Sequence, residues 1–501
     1  MIPTGRAQVW VAAGPIVALI LMSWTGYTES DDRAYAEAAA EWIAHFPFLG
    51  ADHHGLRHAI ILPTAFLFWV AGPSEVALAL PILAYLAGTL LVTYLAVTAI
   101  AGKRAGVLAL LLTGTMPALV LGASVSYADI PETFFVVSSI WVFFFSCRKP
   151  RRPLFVLSGA LAGLGFVTRE TSAAILVLYG ILFLWGYGGS RFNFMWMGVG
   201  FILIAGFDTA TLWVASGDPL YRFHISLEGI AADSPLAQEK YRMREAPGVD
   251  RFGALAVSRG LKPLAIAFLN QQYGLLAWFA VPAAWIASTQ EPSPTRSVCR
   301  LLGGAALVWF VVLFYGLANY LNVIARYVEV AAVAVAVPLA ILLARYWKRR
   351  LARACLTAIV AVNVLLIAGS DTRPLFGENV LVDLARSTRQ TIMTDPGTFQ
   401  GAHQILRWEA LSNRVTQASP QPGGFYLFNS RPRRGIPPDW PIQRPDPSWL
   451  ELTRQEKPTK LLASLAHVLG AHRYLPRGIA DKLDPPATYV ALYRVPTEKK
   501  E

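Results

Sequence analysis

Residues 76–100 decide the fold, and they read VALALPILAYLAGTLLVTYLAVTAI. This stretch has no charged residue and exceeds the roughly 20 apolar residues that a helix needs to cross a membrane. Similar stretches lie at 8–24, 105–123, 130–147, 154–168, 171–187, 193–215, 263–287, 301–320, 328–346 and 355–369. The sequence therefore predicts an α-helical polytopic membrane protein with about eleven transmembrane helices, give or take two. A shorter run, 59–71, contains Pro63 and is predicted to be a re-entrant or interfacial helix.

The composition supports this class of protein. Of the 501 residues, 54% are hydrophobic and 15% are charged, whereas roughly 25% are charged in soluble proteins. The net charge of +12 would suit a nucleic-acid binder, but the apolar content argues against that class and no nucleic-acid partner is expected. The cysteines Cys147, Cys299 and Cys355 are far apart, so the sequence supports neither a disulfide framework nor a zinc ribbon.

The basic residues fall in every second loop. If the N-terminus is cytoplasmic, the cytoplasmic loops contain Arg6, Lys103, Arg104, Arg148, Lys149, Arg151, Arg152, Arg191, Arg296, Arg300, Arg345, Lys348, Arg349, Arg350 and Arg353. Glu291 is the only acidic residue in these loops. The positive-inside rule therefore predicts a cytoplasmic N-terminus in a bacterial-like inner membrane.

The loops on the opposite side are expected to differ in charge and length. The first outer loop, 25–75, contains the acids Glu29, Asp31, Asp32, Glu37, Glu41 and Asp52. A second outer loop is predicted at about 217–262. Residues 1–369 would form the membrane domain, and 370–501 a soluble, extracytoplasmic mixed α/β domain with strands at Gly424–Phe428 and Tyr489–Val495.

Acidic residues at the outer membrane boundary are the candidates for chemistry. Asp31 and Asp32 precede a helix-like pattern that includes Tyr35 and Trp42, and Asp129 precedes Ile130 and Pro131 at the start of another span. Helix capping, by Ser30 or Asp31 in the first case and by Asp129 in the second, explains each site separately. Because carboxylates at that depth are costly without a function or a partner, two such sites at one boundary favour a functional interpretation.

Four motifs in order resemble those of GT-C membrane glycosyltransferases, in the branch of the lipid A aminoarabinose transferase and the protein O-mannosyltransferases. Asp31-Asp32-x-x-Tyr35-Ala36-Glu37-x-Ala39 is similar to the Asp-Glu-x-x-Tyr-x-x-x-Ala signature of the first outer loop. The other three are Gly72-Pro73-Ser74-Glu75 through Pro81, Gly163-Leu164-Gly165-Phe166-Val167-Thr168-Arg169, and Ala325-Arg326-Tyr327 with Pro338.

The resemblance implies an inverting transferase that moves a sugar from a polyprenyl-phosphate donor to a glycolipid, polysaccharide or protein acceptor at the outer face. Asp31 matches the catalytic aspartate of the family and would be the general base, with Asp32 and Asp129 orienting the acceptor or assisting. Cations would stabilise the leaving phosphate, and the candidates are Arg33, Arg57, Arg169, Arg222 and Arg326. For each arginine, snorkelling to the interface is the alternative role.

The sequence departs from the family pattern around the donor headgroup. Asp32 replaces the usual glutamate, and the expected Lys/His-Pro-Pro-Leu appears as His53-His54-Gly55-Leu56. Tyr35, His53 and His54 are predicted to contact the headgroup or acceptor. No cofactor is expected, although Asp52, His53, His54, His58 and His45 raise a less favoured divalent-metal hypothesis. Neighbouring imidazoles cannot easily point the same way in a regular element, which counts against a metal.

Two other functions compete with the transferase. A transporter or flippase of a lipid-linked sugar would place ionisable residues near the bilayer midplane and show paired repeats. In this sequence the candidate acids concentrate at the outer boundary and no paired repeat is evident. A catalytically silent scaffold of a polysaccharide assembly complex would keep the same fold.

Overall fold

The computed structural model describes residues 5–230, 264–313, 325–442, 444–458, 468, 470 and 488–497. Contacts divide the chain into two compact units. The first, called the helical unit, comprises Met1–Trp24, Ala34–Ala71 and Ala77–Ile367. The second, called the C-terminal unit, comprises Thr25–Arg33, Gly72–Val76 and Ala368–Glu501. Two short segments of the predicted first outer loop thus group with the C-terminal residues.

The described part of residues 5–368 is almost entirely helical. The helices are α1 Gly5–Met22, α2 Asp31–Ala44, α3 His58–Ala71, α4 Glu75–Ala101, α5 Lys103–Gly114, α6 Pro117–Gly122, α7 Asp129–Arg148, α8 Arg152–Thr168, α9 Ala174–Leu184, α10 Phe192–Ser216, α11 Tyr221–Ile230, α12 Leu276–Gln290, α13 Thr295–Val311, α14 Glu329–Arg345 and α15 Arg350–Ala368. Short 3-10 helices, Glu170–Ala173 and Ala325–Val328, precede α9 and α14.

Five helices in the described ranges are long and apolar enough to cross a membrane. They are Glu75–Ala101, Asp129–Arg148, Phe192–Ser216, Ala325–Arg345 and Arg350–Ala368. Shorter apolar helices cover Trp10–Met22, His58–Ala71, Arg152–Thr168 and Glu170–Leu184. Together these helices define an integral membrane protein.

Several predicted spans differ from the helices. The predicted span 105–123 is interrupted between α5 and α6, where Pro117 lacks the N–H that would continue the helix. Residues 231–262 of the predicted second outer loop lie outside the described residues. The same holds for 314–320 of the predicted span 301–320.

Helices α7, α8 and α10 pack into the core of the helical unit. A Cβ on Gly159 would lie 1.9 Å from the carbonyl oxygen of Met197, and a Cβ on Gly200 would lie 1.9 Å from that of Val156. Glycine at both positions therefore lets α8 and α10 approach closely, as small residues do in membrane helix pairs. Helix α7 joins α8 through Ser139, whose Oγ lies 2.7 Å from the carbonyl oxygen of Ser158.

The C-terminal unit contains a five-stranded mixed sheet. Its helices are α16 Phe376–Ser387 and α17 Pro396–Trp408, and its strands are β1 Ile392–Thr394, β2 Val415–Gln417, β3 Phe425–Asn429, β4 Leu450–Glu456 and β5 Tyr489–Arg494. The strand order is β2-β1-β3-β5-β4. Strands β2 and β3 run parallel to β1, while β5 runs antiparallel to both β3 and β4. The mixed sheet expected near the C-terminus is present, and β3 and β5 lie at the two predicted strands.

Candidate active site

Asp129 lies in the first turn of α7, and its carboxylate forms ion pairs with two arginines. The carboxylate is buried, and its Oδ1 lies 2.5 Å from Nη1 of Arg169. Its Oδ2 lies 3.6 Å from Nε of Arg326. The N-cap of α7 is Ala128, and no side chain caps this helix. The capping interpretation of Asp129 is therefore wrong, because its oxygens are directed at two arginines instead.

Arg169 ends α8 in an extended conformation, with φ of −163° and ψ of 134°. This bend starts the 3-10 helix that leads into α9 and turns the guanidinium towards α7. The guanidinium is buried, and its Cζ lies 3.8 Å from the ring centroid of Tyr327. Ion pairing and a cation–π contact together hold this buried charge, so Arg169 does not snorkel.

Arg326 lies in the 3-10 helix Ala325–Val328, just before α14. Two ring residues hold that segment: Tyr273 donates a hydrogen bond to the carbonyl oxygen of Ala325, and Trp309 donates one of 2.8 Å to that of Tyr327. The Arg326 side chain is 22% exposed, and its Cζ lies 4.1 Å from the ring of Tyr127. Arg326 thus combines a fixed backbone with partial solvent access.

Glu132 and Glu329 also lie at this site, and neither is among the site residues predicted from the sequence. Glu132, one turn after Asp129, lies 3.6 Å from Nη1 of Arg169 and accepts hydrogen bonds from Thr171 at 2.5 Å and Ser172 at 2.9 Å. Glu329 is buried, and its Oε2 has no hydrogen-bond partner among the described residues. The signal for both was available, because an acid in the first turn of an apolar span is costly without a partner.

Arg57 brings a third guanidinium group into the neighbourhood of Asp129. It is buried, donates a hydrogen bond to Oη of Tyr35, and interacts electrostatically with Arg169 and Asp129. Its Nε has no hydrogen-bond partner within the described ranges. The ring of Tyr35 also makes an edge contact with His54 at 5.5 Å. The predicted headgroup residues Tyr35 and His54 are therefore brought together around Arg57.

His53 and His54 lie in an irregular segment, where their ring centroids are 3.9 Å apart. The expectation that neighbouring imidazoles diverge applies to regular elements, and this segment is not one. Burial, followed by the neighbours His54 and Arg57, lowers the pKa of His53 to about 4. The His53 ring is therefore neutral near pH 7 and suited to hydrogen bonding.

Arg222, another predicted phosphate ligand, lies in a different cluster. Its guanidinium donates to Asp208 from Nε at 3.0 Å, to the carbonyl oxygen of Leu56 at 2.7 Å and to Glu170 at 3.2 Å. Asp208 also lies 2.7 Å from Nδ1 of His58. The Arg222 side chain is 3% exposed. These contacts tie α3, α10 and α11 to the start of α9.

Glu29, Asp31 and Asp32 of the first outer loop belong to the C-terminal unit. Asp32 is fully buried, and its carboxylate accepts hydrogen bonds from the backbone N–H groups of Thr28 at 2.5 Å, Ser30 at 2.7 Å and Arg33 at 3.0 Å. Burial raises the pKa of Asp32, and these hydrogen bonds oppose that shift. Asp31 starts α2 and is partly exposed. The Arg33 guanidinium lies 3.0 Å from Glu29.

His45, His54 and His58 of the metal hypothesis each pair with a different acid. His45 lies 2.8 Å from Glu41, and His54 lies 3.7 Å from Asp52. In the described part of the chain, no three His, Cys, Asp or Glu side chains form a group that holds a metal ion.

Comparisons with known proteins place this architecture in a class. The family model described as dolichyl-phosphate-mannose-protein mannosyltransferase matches residues 59–213. ArnT from Cupriavidus metallidurans bound to undecaprenyl phosphate matches with a TM-score of 0.52 and 13% identity, over 85% of this chain and 94% of that chain. The oligosaccharyltransferase of Archaeoglobus fulgidus in its apo form matches with a TM-score of 0.51 and 14% identity, over 82% of this chain and 64% of that chain. No curated protein matches the chain.

These matches confirm the resemblance stated from the motifs. The chain has the fold of the GT-C glycosyltransferases. At these identities the structural likeness establishes the fold, and the chemistry has to be argued from the residues.

Proposed function

We propose that the protein is an inverting glycosyltransferase that moves a sugar from a polyprenyl-phosphate donor to an acceptor at the outer face of the membrane. The observation that carries the proposal is the placement of Arg57, Arg169 and Arg326 around Asp129 on a GT-C fold. Guanidinium groups suit the oxygens of a phosphate. The matching ArnT structure contains undecaprenyl phosphate, which supports a lipid-phosphate donor.

The reaction assigns a role to each charged group. The acceptor hydroxyl oxygen forms a bond to the sugar C1, and the bond from C1 to the phosphate oxygen breaks with its electron pair leaving on the lipid phosphate. The acceptor proton passes to a carboxylate, for which Asp31 is the candidate, with Asp32 and Asp129 orienting or assisting. Arg169, Arg326 and Arg57 stabilise the charge that develops on the phosphate. No cofactor takes part in this reaction.

The lipid chain of the donor has a candidate site in the helical unit. An apolar cavity of about 610 Å³ is lined by α12, α13, α14 and the residues just before α12. Tyr273 and Val328 line it, and both belong to the structure that fixes the Arg326 segment. A prenyl chain in this cavity would lie next to the segment that carries Arg326.

The sidedness of the proposal follows from the charges of the loops. The basic loops support a cytoplasmic N-terminus and an extracytoplasmic C-terminal domain in a bacterial-like inner membrane. The acceptor is then a glycolipid, a polysaccharide or a protein on the outer side. Arg222 and Arg33 are less suited to the donor phosphate than the other three arginines, because Asp208, Glu170 and Glu29 already pair with them.

The test is turnover in vesicles. The protein is reconstituted with undecaprenyl phosphate carrying a radiolabelled sugar and with a membrane extract that supplies acceptors, and free lipid phosphate is measured. We expect release by the wild type and a loss of at least about 100-fold in Asp31→Asn. Equal release by both proteins would remove Asp31 from its role. Translocation without cleavage would support a flippase, and neither activity would support a silent scaffold.

A further inference from the structure

The C-terminal unit contains an unusual turn at the end of Thr25–Arg33. Glu29 has a φ of 56°, a left-handed conformation that non-glycine residues rarely adopt. Its side chain is only 1% exposed. A buried carboxylate in such a conformation needs partners that offset the cost of burial.

Two arginines of the loop between β3 and β4 supply contacts to this turn. Nε of Arg434 lies 2.5 Å from Oε2 of Glu29, and Nη2 of Arg434 lies 3.0 Å from Oε1. Arg433 donates a hydrogen bond of 3.3 Å from Nε to the carbonyl oxygen of Thr28. A bidentate arginine–carboxylate pair fixes orientation as well as distance, so this loop restrains the turn at two successive residues.

The arginine loop is itself fixed to the helices of the C-terminal unit. The backbone N–H of Arg433 donates a hydrogen bond of 2.6 Å to Glu378 on α16. A Cβ on Gly397, at the start of α17, would lie 2.0 Å from the carbonyl oxygen of Arg434. The loop therefore packs directly against the backbone of α17, which supports Arg433 and Arg434.

The restrained turn also fixes the position of Asp31, the first residue of α2. Asp31 stands between Ser30 and Asp32, and the Asp32 carboxylate binds the backbone N–H groups of Thr28 and Ser30. The backbone of Asp31 is thus enclosed in a turn with few remaining degrees of freedom. Its position depends on the same contacts that Arg433 and Arg434 stabilise.

We propose that Arg433 and Arg434 are positioning residues that hold the Thr28–Arg33 turn, and with it Asp31, in the geometry needed for transfer. This inference rests on the proposed function, in which Asp31 is the base. Neither arginine touches the reacting atoms in this account. They act through Glu29 and Thr28, so their loss lowers the rate of the chemical step and leaves donor binding in place.

The experiment is a double-mutant cycle on the full-length protein in vesicles. Arg434→Ala, Glu29→Gln and the double variant are compared for kcat, for donor KM and for hydrogen exchange of residues 28–33. We expect kcat to fall about tenfold in Arg434→Ala, with donor KM within about twofold of wild type and faster exchange. The double variant should lose little more than Glu29→Gln, because that substitution already weakens the contact of Glu29 with Arg434 as well as the one with Arg33.

The control is Arg431→Ala, which changes an exposed arginine of the same loop whose backbone N–H bonds to Asn429. It should leave kcat and exchange unchanged, and Arg434→Lys should recover part of kcat. Wild-type kcat in Arg434→Ala, or additive losses in the double variant, would overturn the inference. If the wild type shows no turnover, the proposed function fails. Hydrogen exchange then tests the positioning role by itself, and an unchanged exchange rate of residues 28–33 in Arg434→Ala would overturn that role.

Discussion

The helical unit contains two clusters of acids paired with arginines. The Asp208 cluster comprises Asp208, Arg222, Glu170 and His58. The Asp129 cluster comprises Asp129, Arg169, Arg326, Glu132 and Glu329. In the Asp208 cluster, Arg222 is 3% exposed and is held by acceptors from several elements. In the Asp129 cluster, Arg326 is 22% exposed and Oε2 of Glu329 has no hydrogen-bond partner among the described residues. Arg222 itself is enclosed by its acceptors, although Glu170 of the same cluster is 26% exposed. The Asp129 cluster instead presents a partly exposed cation and keeps hydrogen-bonding capacity.

This difference teaches that burial of charge does not by itself identify a functional site. An arginine whose donors all serve internal acceptors stabilises the arrangement of the helices. Several cations gathered at helix termini around one carboxylate, with partial solvent access, are suited to bind an anionic substrate. Under the proposed function, we therefore expect Arg222 to stabilise the helices and Arg326 to contact the donor phosphate.

The largest expected effect is on stability, from Arg222→Met. The substitution leaves Asp208 and Glu170 without their arginine, which should lower the free energy of unfolding by about 3–5 kcal/mol. Unfolding by denaturant in detergent measures this, with Arg191→Met as a control at an exposed position. A stable Arg222→Met protein that has lost turnover would place Arg222 at the donor phosphate and break the comparison.

The next effect is on turnover, from Arg326→Ala. Removing one cation from the leaving phosphate should lower turnover by about 100-fold, and Arg326→Lys should lie between this variant and the wild type. Stability should change much less than in Arg222→Met, because the side chain is partly exposed. Release of lipid phosphate measures turnover, and unchanged release would show that Arg326 does not contact the donor.

The smallest effect is a pH dependence in the C-terminal unit, where the side chain of Glu378 is buried. Burial raises the pKa of Glu378 from 4.5 to about 7. In the folded state Glu378 therefore keeps its proton up to a higher pH than in the unfolded state. The free energy of unfolding should consequently fall by about 2 kcal/mol from pH 5 to pH 7.

Glu378→Gln removes this titration and keeps an oxygen acceptor for the N–H of Arg433. The stability of this variant should depend less on pH over the same range. Denaturant unfolding at several pH values measures the difference, and identical pH profiles for the variant and the wild type would contradict a buried, protonated Glu378.

The fold was largely predictable because apolar runs and turn residues are local signals. The runs at 76–100, 130–147 and 193–215 correspond closely to α4, α7 and α10. The predicted span 105–123 did not take account of Thr113, Gly114, Thr115 and Pro117, which together mark the break. Strands β3 and β5 were predictable from their alternating and aromatic residues.

The site was predictable only in part, because its contacts join distant parts of the chain. Asp129, Arg169 and Arg326 carry local motif signals, whereas the contact of His58 with Asp208 joins residues 150 positions apart. The pairing of Glu29 with Arg434 spans 405 positions. No spacing rule in a single sequence specifies such pairs. For this reason the sequence alone indicates neither the acids that pair with Arg222 nor the partner of Glu29.

The central claim is that the Asp129 cluster performs chemistry and the Asp208 cluster maintains structure. The most direct measurement compares Asp129→Asn with Asp208→Asn for lipid-phosphate release per folded molecule in the same vesicles. We predict a loss of at least about 100-fold per folded molecule in Asp129→Asn, which removes the carboxylate shared by Arg169 and Arg326. We predict near wild-type release from a less stable Asp208→Asn. The reverse pattern would contradict the account.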